Sequence, residues 1–173
     1  MGHREHRLEG PRRIPCAVLT LSDTRTVSTD TSGAYLRRSL RRAGHLVLES
    51  RILKDEPGRI TARLRRLASE GRVRVVLLTG GTGITPRDRT FEAVTRILDR
   101  RLDGFGELFR ALSYRSIGPS AMLSRAVAGT LGGMAIFSMP GSEDAVRLAM
   151  TRLVLPEIRH VAALVAQRPG RRK

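Results

Sequence analysis

A glycine-rich loop is the segment of this sequence best suited to binding an anion. It consists of Gly80, Gly81, Thr82 and Gly83 and lies between an apolar run at 73–79 and a helical pattern. Consecutive glycines let backbone amides approach a phosphate without an intervening Cβ, and a helix N-terminus adds partial positive charge. The loop is not a Walker A motif, because no Gly-Lys-Ser/Thr follows, and the GxGxxG spacing is also missing. The residues fit either a phosphate site or a tight strand-to-helix turn.

Two aspartates could supply the negative charge that a phosphate site with a divalent cation requires. Asp88 lies in the same loop, where a carboxylate beside a phosphate is unfavourable unless a cation or a proton relay involves it. Magnesium is the natural cation, because it prefers carboxylate and phosphate oxygens. Asp88 could instead cap a helix that begins at Arg89 or Thr90, and Asp55, with Pro57 behind it, could cap another. Both interpretations stay open.

A further loop, with the sequence PGSED at 140–144, offers Gly141 and Ser142 at the start of a helix, where an oxyanion can bind. Glu143 and Asp144 favour the helix dipole themselves and would repel a phosphate unless they point outward. Capping of the helix by Ser142 is therefore the alternative.

The segments around these loops alternate between strand and helix. Apolar or alternating runs predict strands at 14–21, 45–53, 73–79 and 134–139, of which 45–53 is expected near an edge. Helical periodicity predicts helices at 32–44, 57–71, 87–102, 106–118 and 120–132, and from 143 onwards. Pro156 should kink or divide the last helix.

This alternation is typical of right-handed βαβ units and predicts a three-layer α/β fold with a mostly parallel, doubly wound sheet. In such sheets, ligands bind beyond the carboxyl ends of the strands, where the loops described above would converge. Residues 14–167 are expected to form one domain, between a disordered N-terminal tail at 1–13 and a basic C-terminal tail at 168–173.

The net charge of +16 favours an anionic partner, which could be a nucleic acid, a membrane surface or a phosphorylated small molecule. Arginines supply nearly all of this charge and are spread without a basic block, and aromatic residues make up only 3%, so a nucleic-acid interface is disfavoured. No apolar stretch reaches the roughly 18 residues that span a bilayer. The single cysteine, Cys16, excludes a disulfide within one chain. These features predict a cytoplasmic protein that inserts in no membrane.

The sequence resembles the MoaB/MogA family of molybdenum cofactor biosynthesis. The string TGGTGITPRDRTFEA at 79–93 carries the resemblance, preceded by LTLSD and DTSG and followed by SRAVAG and SMPGS. Several motifs in the same order are far more specific than any one of them, and the resemblance covers 14–167. It implies a three-layer α/β/α molybdopterin-binding fold.

The activity that this resemblance implies is adenylyl transfer from Mg-ATP to the terminal phosphate of molybdopterin, with release of pyrophosphate. Asp88 and Asp55 would then be the catalytic residues, holding Mg²⁺ at the ATP phosphates. The nucleotide would lie on the loop of Gly80, Gly81, Thr82 and Gly83. The residues that would hold molybdopterin are Ser124, Arg125, Gly141 and Ser142.

The resemblance also implies a homotrimer or homohexamer, and a downstream molybdenum-insertion protein as a partner. The last loop, MPGSED, is nearer to the MoaB branch than to the MogA and plant forms. This likeness to the MoaB branch implies the alternative, a non-catalytic molybdopterin-binding or carrier protein.

Overall fold

A computed structural model describes residues 11–167, whose elements surround a central sheet. The strands are β1 (Pro15–Leu21), β2 (Leu46–Leu53), β3 (Val75–Thr79), β4 (Arg100–Arg101), β5 (Val127–Leu131) and β6 (Met134–Met139). The helices are α1 (Thr31–Arg42), α2 (Pro57–Glu70), α3 (Thr90–Ile97), α4 (Asp103–Ile117), α5 (Glu143–Ala149) and α6 (Leu155–Ala166). A 3₁₀ turn, Gly118–Leu123, follows α4, and a π-helical turn, Met150–Val154, joins α5 to α6.

The strand order in the sheet is β2-β1-β3-β6-β5-β4. The first four of these strands pair in parallel, and β5 runs antiparallel to both of its neighbours. The predicted α/β fold with a mostly parallel sheet is confirmed, and β2 lies at an edge as its alternating pattern indicated. The predicted tails at 1–13 and 168–173 fall largely outside the described residues, within which 11–13 are exposed.

Successive residues of the central strands pack on opposite faces of the sheet. Cys16 and Val18 of β1 belong to a buried cluster with side chains of α1, α4, α5 and α6. Ala17 and Leu19 belong to a second cluster, with side chains of α2 and α3. Because side chains alternate along a strand, one apolar strand fills both cores, which produces the three layers.

The helix predicted at 120–132 is wrong, because this segment contains the end of the 3₁₀ turn and all of strand β5. A Cβ on Gly129 would lie 2.3 Å from Arg100 O, so glycine lets β4 approach closely. Gly132 and Gly133 have φ of 55° and 82° and join β5 to β6 in a two-residue hairpin. This Gly-Gly pair was the hairpin signal in the sequence. The helix predicted at 87–102 is also shorter, because Leu98 is extended and β4 follows.

The last helix is divided just before Pro156, as predicted. Proline has no N–H to donate to the carbonyl of Arg152, and its ring would clash with that carbonyl in a regular α-helix. The chain relieves this conflict with the wider π-helical turn over Met150–Val154, after which α6 begins.

Candidate functional site

A cleft of about 880 Å³ opens at the carboxyl ends of the central strands. Thr79 at the end of β3 pairs with Thr20 of β1 and with Met139 of β6, so the loops that follow these strands leave the sheet side by side. Most of the predicted site residues line the cleft, namely Gly80, Gly81, Thr82, Gly83, Asp88, Ser124, Gly141 and Ser142. Asp55 and Arg125 are not part of this lining.

The glycine loop packs tightly against the strand ends and against carboxylates. A Cβ on Gly80 would lie 2.3 Å from Leu21 O. Gly81 has a φ of 63°, and a Cβ there would lie 2.2 Å from Thr90 Oγ1 and 2.6 Å from Asp55 Oδ2. Any side chain at these positions would displace backbone or a polar partner, so the loop needs glycine for its own packing.

Asp88 closes a short turn that follows the glycine loop. Its Oδ2 accepts hydrogen bonds from the Thr85 hydroxyl over 2.6 Å and from the Thr85 N–H over 2.9 Å. The hydroxyl bond is the main reason that the pKa of Asp88 is lowered; further N–H donors and Arg125 act in the same direction and burial opposes them. Asp88 does not cap α3, because Arg89 occupies the N-cap position and no side chain accepts a capping bond there.

Asp55 connects the end of β2 to the start of α3. Its Oδ1 accepts a hydrogen bond of 2.7 Å from the hydroxyl of Thr90, which is fully buried. The Asp55 N–H donates to Asp23 Oδ1 over 3.2 Å. Glu56 occupies the N-cap of α2, so the capping interpretation of Asp55 is wrong as well. Asp55 reaches the glycine loop at Gly81, as the close approach there shows.

The Arg125 guanidinium forms hydrogen bonds with residues in and after the glycine loop. Its Nε donates to Gly83 O over 2.8 Å, Nη2 donates to Asp88 O, and Nη1 pairs with Glu92. The guanidinium carbon lies 5.2 Å from the centre of the Phe91 ring. A contact between Arg125 and molybdopterin stays a prediction.

The loop before α5 is fastened to the segment that follows β1. The carbonyl oxygen of Gly141 accepts hydrogen bonds from Ser32 Oγ over 2.8 Å and from Arg25 Nη2 over 2.9 Å. Ser142 Oγ accepts from the Ala145 N–H over 3.4 Å, so the predicted helix cap is confirmed. Because Ser142 also lines the cleft, capping and ligand contact do not exclude each other.

The far wall of the cleft consists of residues that sequence reasoning missed. α4 contributes Phe109, Ser113 and Ser116, and the segment from α5 into the π-helical turn contributes Arg147 and Arg152. Serine and arginine on a helix have the same pattern as a solvated face, so periodicity carried no signal for these positions.

Sequence reasoning also missed Asp30, a buried carboxylate at the start of α1. Its side chain is only 1% exposed and accepts hydrogen bonds of 2.9 Å from the Gly33 N–H and from the Thr20 hydroxyl. Arg25 and Arg37 each lie 3.6 Å from its carboxylate. The Asp-Thr-Ser-Gly start of α1 was the available signal, since aspartate is a preferred N-cap residue.

The carboxylates near the glycine loop have the donor chemistry that the predicted Mg²⁺ would need, and the Mg²⁺ site itself stays a prediction. Asp55 and Asp88 each approach a different glycine of the loop, and carboxylate oxygens are the donors that Mg²⁺ prefers. Within residues 11–167, no group of three or more His, Cys, Asp or Glu could hold a metal. Magnesium at phosphate sites does not need such a group, because one or two carboxylates and the substrate phosphates bind it.

Comparisons with known proteins agree with the fold and the motifs. A family profile described as a probable molybdopterin binding domain matches residues 17–160. Molybdenum cofactor biosynthesis protein B of Halalkalibacterium halodurans is 51% identical over 162 residues, which cover 93% of this chain and 95% of that protein.

Solved structures with similar sequences share the architecture. A crystal structure of a molybdenum cofactor biosynthesis protein B has a TM-score of 0.88 at 48% identity, over 92% of this chain and 100% of that chain. The tungsten cofactor synthesizing protein MoaB from Pyrococcus furiosus has a TM-score of 0.81 at 32% identity, over 91% of this chain and 99% of that chain. Within residues 11–167, each helix is too short or too polar to span a lipid bilayer.

Proposed function

This chain belongs to the MoaB/MogA family of molybdenum cofactor biosynthesis proteins, and we propose that it catalyses adenylyl transfer from ATP to molybdopterin. A role in molybdenum cofactor biosynthesis follows from its relatives. The finer activity rests on the chemistry of the cleft.

The observation that carries the proposal is the convergence of three features on one cleft. The backbone of Gly81 and Thr82 lies in the lining of the cleft, Asp88 is ionised in the same lining, and Ser142 lines it from the loop before α5. Nucleotidyl transfer depends on positioning and charge neutralisation more than on a protein nucleophile. The cleft offers groups for positioning and for charge neutralisation, and the proposed reaction needs no nucleophile from the protein.

In the proposed reaction, an oxygen of the terminal phosphate of molybdopterin attacks the α-phosphorus of ATP. A new phosphorus–oxygen bond forms, the bond from the α-phosphorus to the bridging oxygen of the β-phosphate breaks, and pyrophosphate leaves with the bonding electrons. Asp88 and Asp55 would hold Mg²⁺, which when bound neutralises charge on the phosphates. The amides of Gly81 and Thr82 would orient the nucleotide, with Gly80 and Gly83 beside it, and Ser124, Gly141 and Ser142 would contact molybdopterin.

The test is product formation from Mg-ATP and purified molybdopterin by the full chain. We expect adenylyl-molybdopterin and pyrophosphate in equal amounts, and a loss of about 100-fold or more in rate for both Asp88→Asn and Asp55→Asn. Glu107→Gln removes an exposed carboxylate of α4 outside the cleft and serves as the control, with the wild-type rate expected. Wild-type turnover by Asp88→Asn would refute the role of that residue.

A second candidate function is molybdopterin binding without catalysis. Asp144 lines the same cleft at the start of α5, where its charge opposes a second polyanionic substrate. This function predicts tight binding of molybdopterin by the wild-type chain, with neither adenylyl-molybdopterin nor pyrophosphate formed.

The family resemblance further leads us to expect a homotrimer or homohexamer in the cytoplasm that passes its product to a molybdenum-insertion protein. Large apolar side chains are exposed on α4 and the 3₁₀ turn, with Tyr114 at 61%, Ile117 at 57% and Met122 at 76%. Exposed apolar side chains on neighbouring elements are compatible with an assembly, which sedimentation of the purified chain would measure.

A further inference from the structure

Arg125 connects the two ends of residues 83–88, the loop that contains Asp88. Its Nε donates to the carbonyl of Gly83, where the loop begins, and its Nη2 donates to the carbonyl of Asp88, where the loop ends. A guanidinium can do this because its N–H donors point outward from one rigid plane. One side chain therefore sets the distance between the ends of residues 83–88.

The same guanidinium is also attached to the first turns of α3. Its Nη1 pairs with Glu92, and the guanidinium carbon lies 5.2 Å from the centre of the Phe91 ring. All three nitrogens of the guanidinium thus have protein partners. The loop is consequently tied to the helix that follows it.

The backbone of Arg125 lies two residues before a paired strand of the sheet. Arg125 precedes β5 (Val127–Leu131), which pairs with both β4 and β6. Its neighbour Ala126 is 3% exposed, and the Ala126 N–H donates to Ser124 Oγ over 3.4 Å. The Arg125 side chain therefore links the segment just before β5 to residues 83–88, which belong to no strand.

We infer that Arg125 is a positioning residue, which orders residues 83–88 so that Asp88 faces the cleft, and that it does not itself hold a substrate. Arg125 is absent from the lining of the cleft, although its neighbour Ser124 belongs to it. The consequence for turnover rests on the proposed function, whereas the ordering of the loop does not.

The ordering can be measured without any substrate. The Asp88 N–H donates to Thr85 O and the Thr85 N–H donates to Asp88 Oδ2, so both amides are protected from hydrogen exchange only while the loop is closed. In the ligand-free full chain, we expect Arg125→Met to raise exchange of peptides within 82–89 by about tenfold, with peptides of β3 and β6 unchanged. Arg96→Met, on the exposed side of α3, is the control and should leave exchange as in the wild type.

Arg125→Lys keeps the charge but lacks the fork that reaches both carbonyls, so we expect exchange between that of the wild type and Arg125→Met. This variant also tests the inference if Arg125→Met does not fold. Faster exchange across the whole chain in Arg125→Lys would assign the residue a general structural role and overturn the inference.

Turnover and binding supply the second readout. We expect Arg125→Met to lower kcat for adenylyl transfer by about 100-fold, because a misplaced catalytic group has an effect of that order, while the Kd for molybdopterin stays within about threefold. Unchanged exchange at 82–89 together with lost molybdopterin binding would overturn the inference and make Arg125 a ligand-contacting residue. If the wild-type chain has no turnover, the proposed function fails, but the exchange experiment still decides the role of Arg125.

Discussion

The Thr90 hydroxyl donates a hydrogen bond of 2.7 Å to Asp55 Oδ1, although 35 positions separate the two residues. Thr90 is the first residue of α3, and Asp55 follows the edge strand β2. The bond fastens the start of α3 to the end of β2 directly behind Gly81. It therefore orients one of the two acidic residues proposed to hold Mg²⁺.

Replacing this donor should release the Asp55 carboxylate. We expect Thr90→Val, which conserves the side-chain shape, to lower the free energy of unfolding by about 1 kcal/mol, because the partly buried Asp55 carboxylate loses a hydrogen-bond donor. Adenylyl transfer should slow as well. Thr90→Ser retains the hydroxyl and is the control, expected close to the wild type in rate. Urea denaturation and the product assay measure the two effects, and equal rates for Thr90→Val and Thr90→Ser would contradict the prediction.

A methyl group on Gly81 should disrupt the same arrangement. Its φ of 63° is strained for alanine, and the Cβ would lie 2.2 Å from Thr90 Oγ1. We expect Gly81→Ala to reduce transfer by about 100-fold, since the loop must shift, and to lower the free energy of unfolding by more than about 1 kcal/mol.

Gly104→Ala is the matched control for this substitution. Gly104 lies in α4, and nothing lies within 4 Å of the Cβ that would be added there. Alanine should be neutral or stabilise the helix by about 0.5 to 1 kcal/mol, as measured in the same denaturation experiment. Similar losses in the two variants would show that the packing around Gly81 is not the cause.

Cys16 should be chemically inert in the folded protein. Its side chain is fully buried, burial raises its pKa to about 12, and its S–H donates to Ile14 O over 3.4 Å. Because the thiolate is the reactive form, we expect no labelling by iodoacetamide at pH 8 in buffer and complete labelling in urea. Mass spectrometry measures both, and the chain has no other cysteine to confuse the result. Rapid labelling in buffer would show that β1 opens readily.

His45 should make the protein less stable in mild acid. It is 7% exposed, and its Nδ1 accepts a hydrogen bond from the Ile14 N–H over 3.3 Å. Burial, and secondarily the charge of Arg159, lower the pKa of His45 below its usual value near 6.5. As the pH falls below that value, the unfolded chain binds a proton that the folded chain does not, so the free energy of unfolding decreases.

We expect urea denaturation to show this loss as the pH falls from about 7.5 through the usual histidine pKa and on towards the lowered pKa of folded His45. In His45→Gln the decrease in the free energy of unfolding should be smaller, because glutamine does not titrate. The other titrating groups are the same in both chains, so the difference reports His45 alone. A pH dependence identical to that of the wild type would show that His45 protonates without cost in the folded state.

Local patterns were sufficient to predict most of the elements and the position of the cleft. Apolar runs predicted β1, β3 and β6, alternation predicted the edge strand β2, and the glycine loop between β3 and α3 indicated where anions could bind. The segment at 120–132 was mispredicted because its residues suit a helix locally, whereas the Gly132–Gly133 turn and pairing with β6 make it a strand.

The sequence by itself determined the alternating α/β architecture and the loops that meet at the strand ends, because these depend on periodicity and on steric freedom at glycine. Only the tertiary structure decided which partners Asp55, Asp88 and Arg125 bind, since a carboxylate or a guanidinium takes whichever donors and acceptors the packed chain brings within reach. Thr90, Thr85 and the carbonyl of Gly83 are those partners. Pairing across distant segments, which no local pattern encodes, turned two apparent helix caps into members of a connected set around the glycine loop, to which Arg125 also belongs.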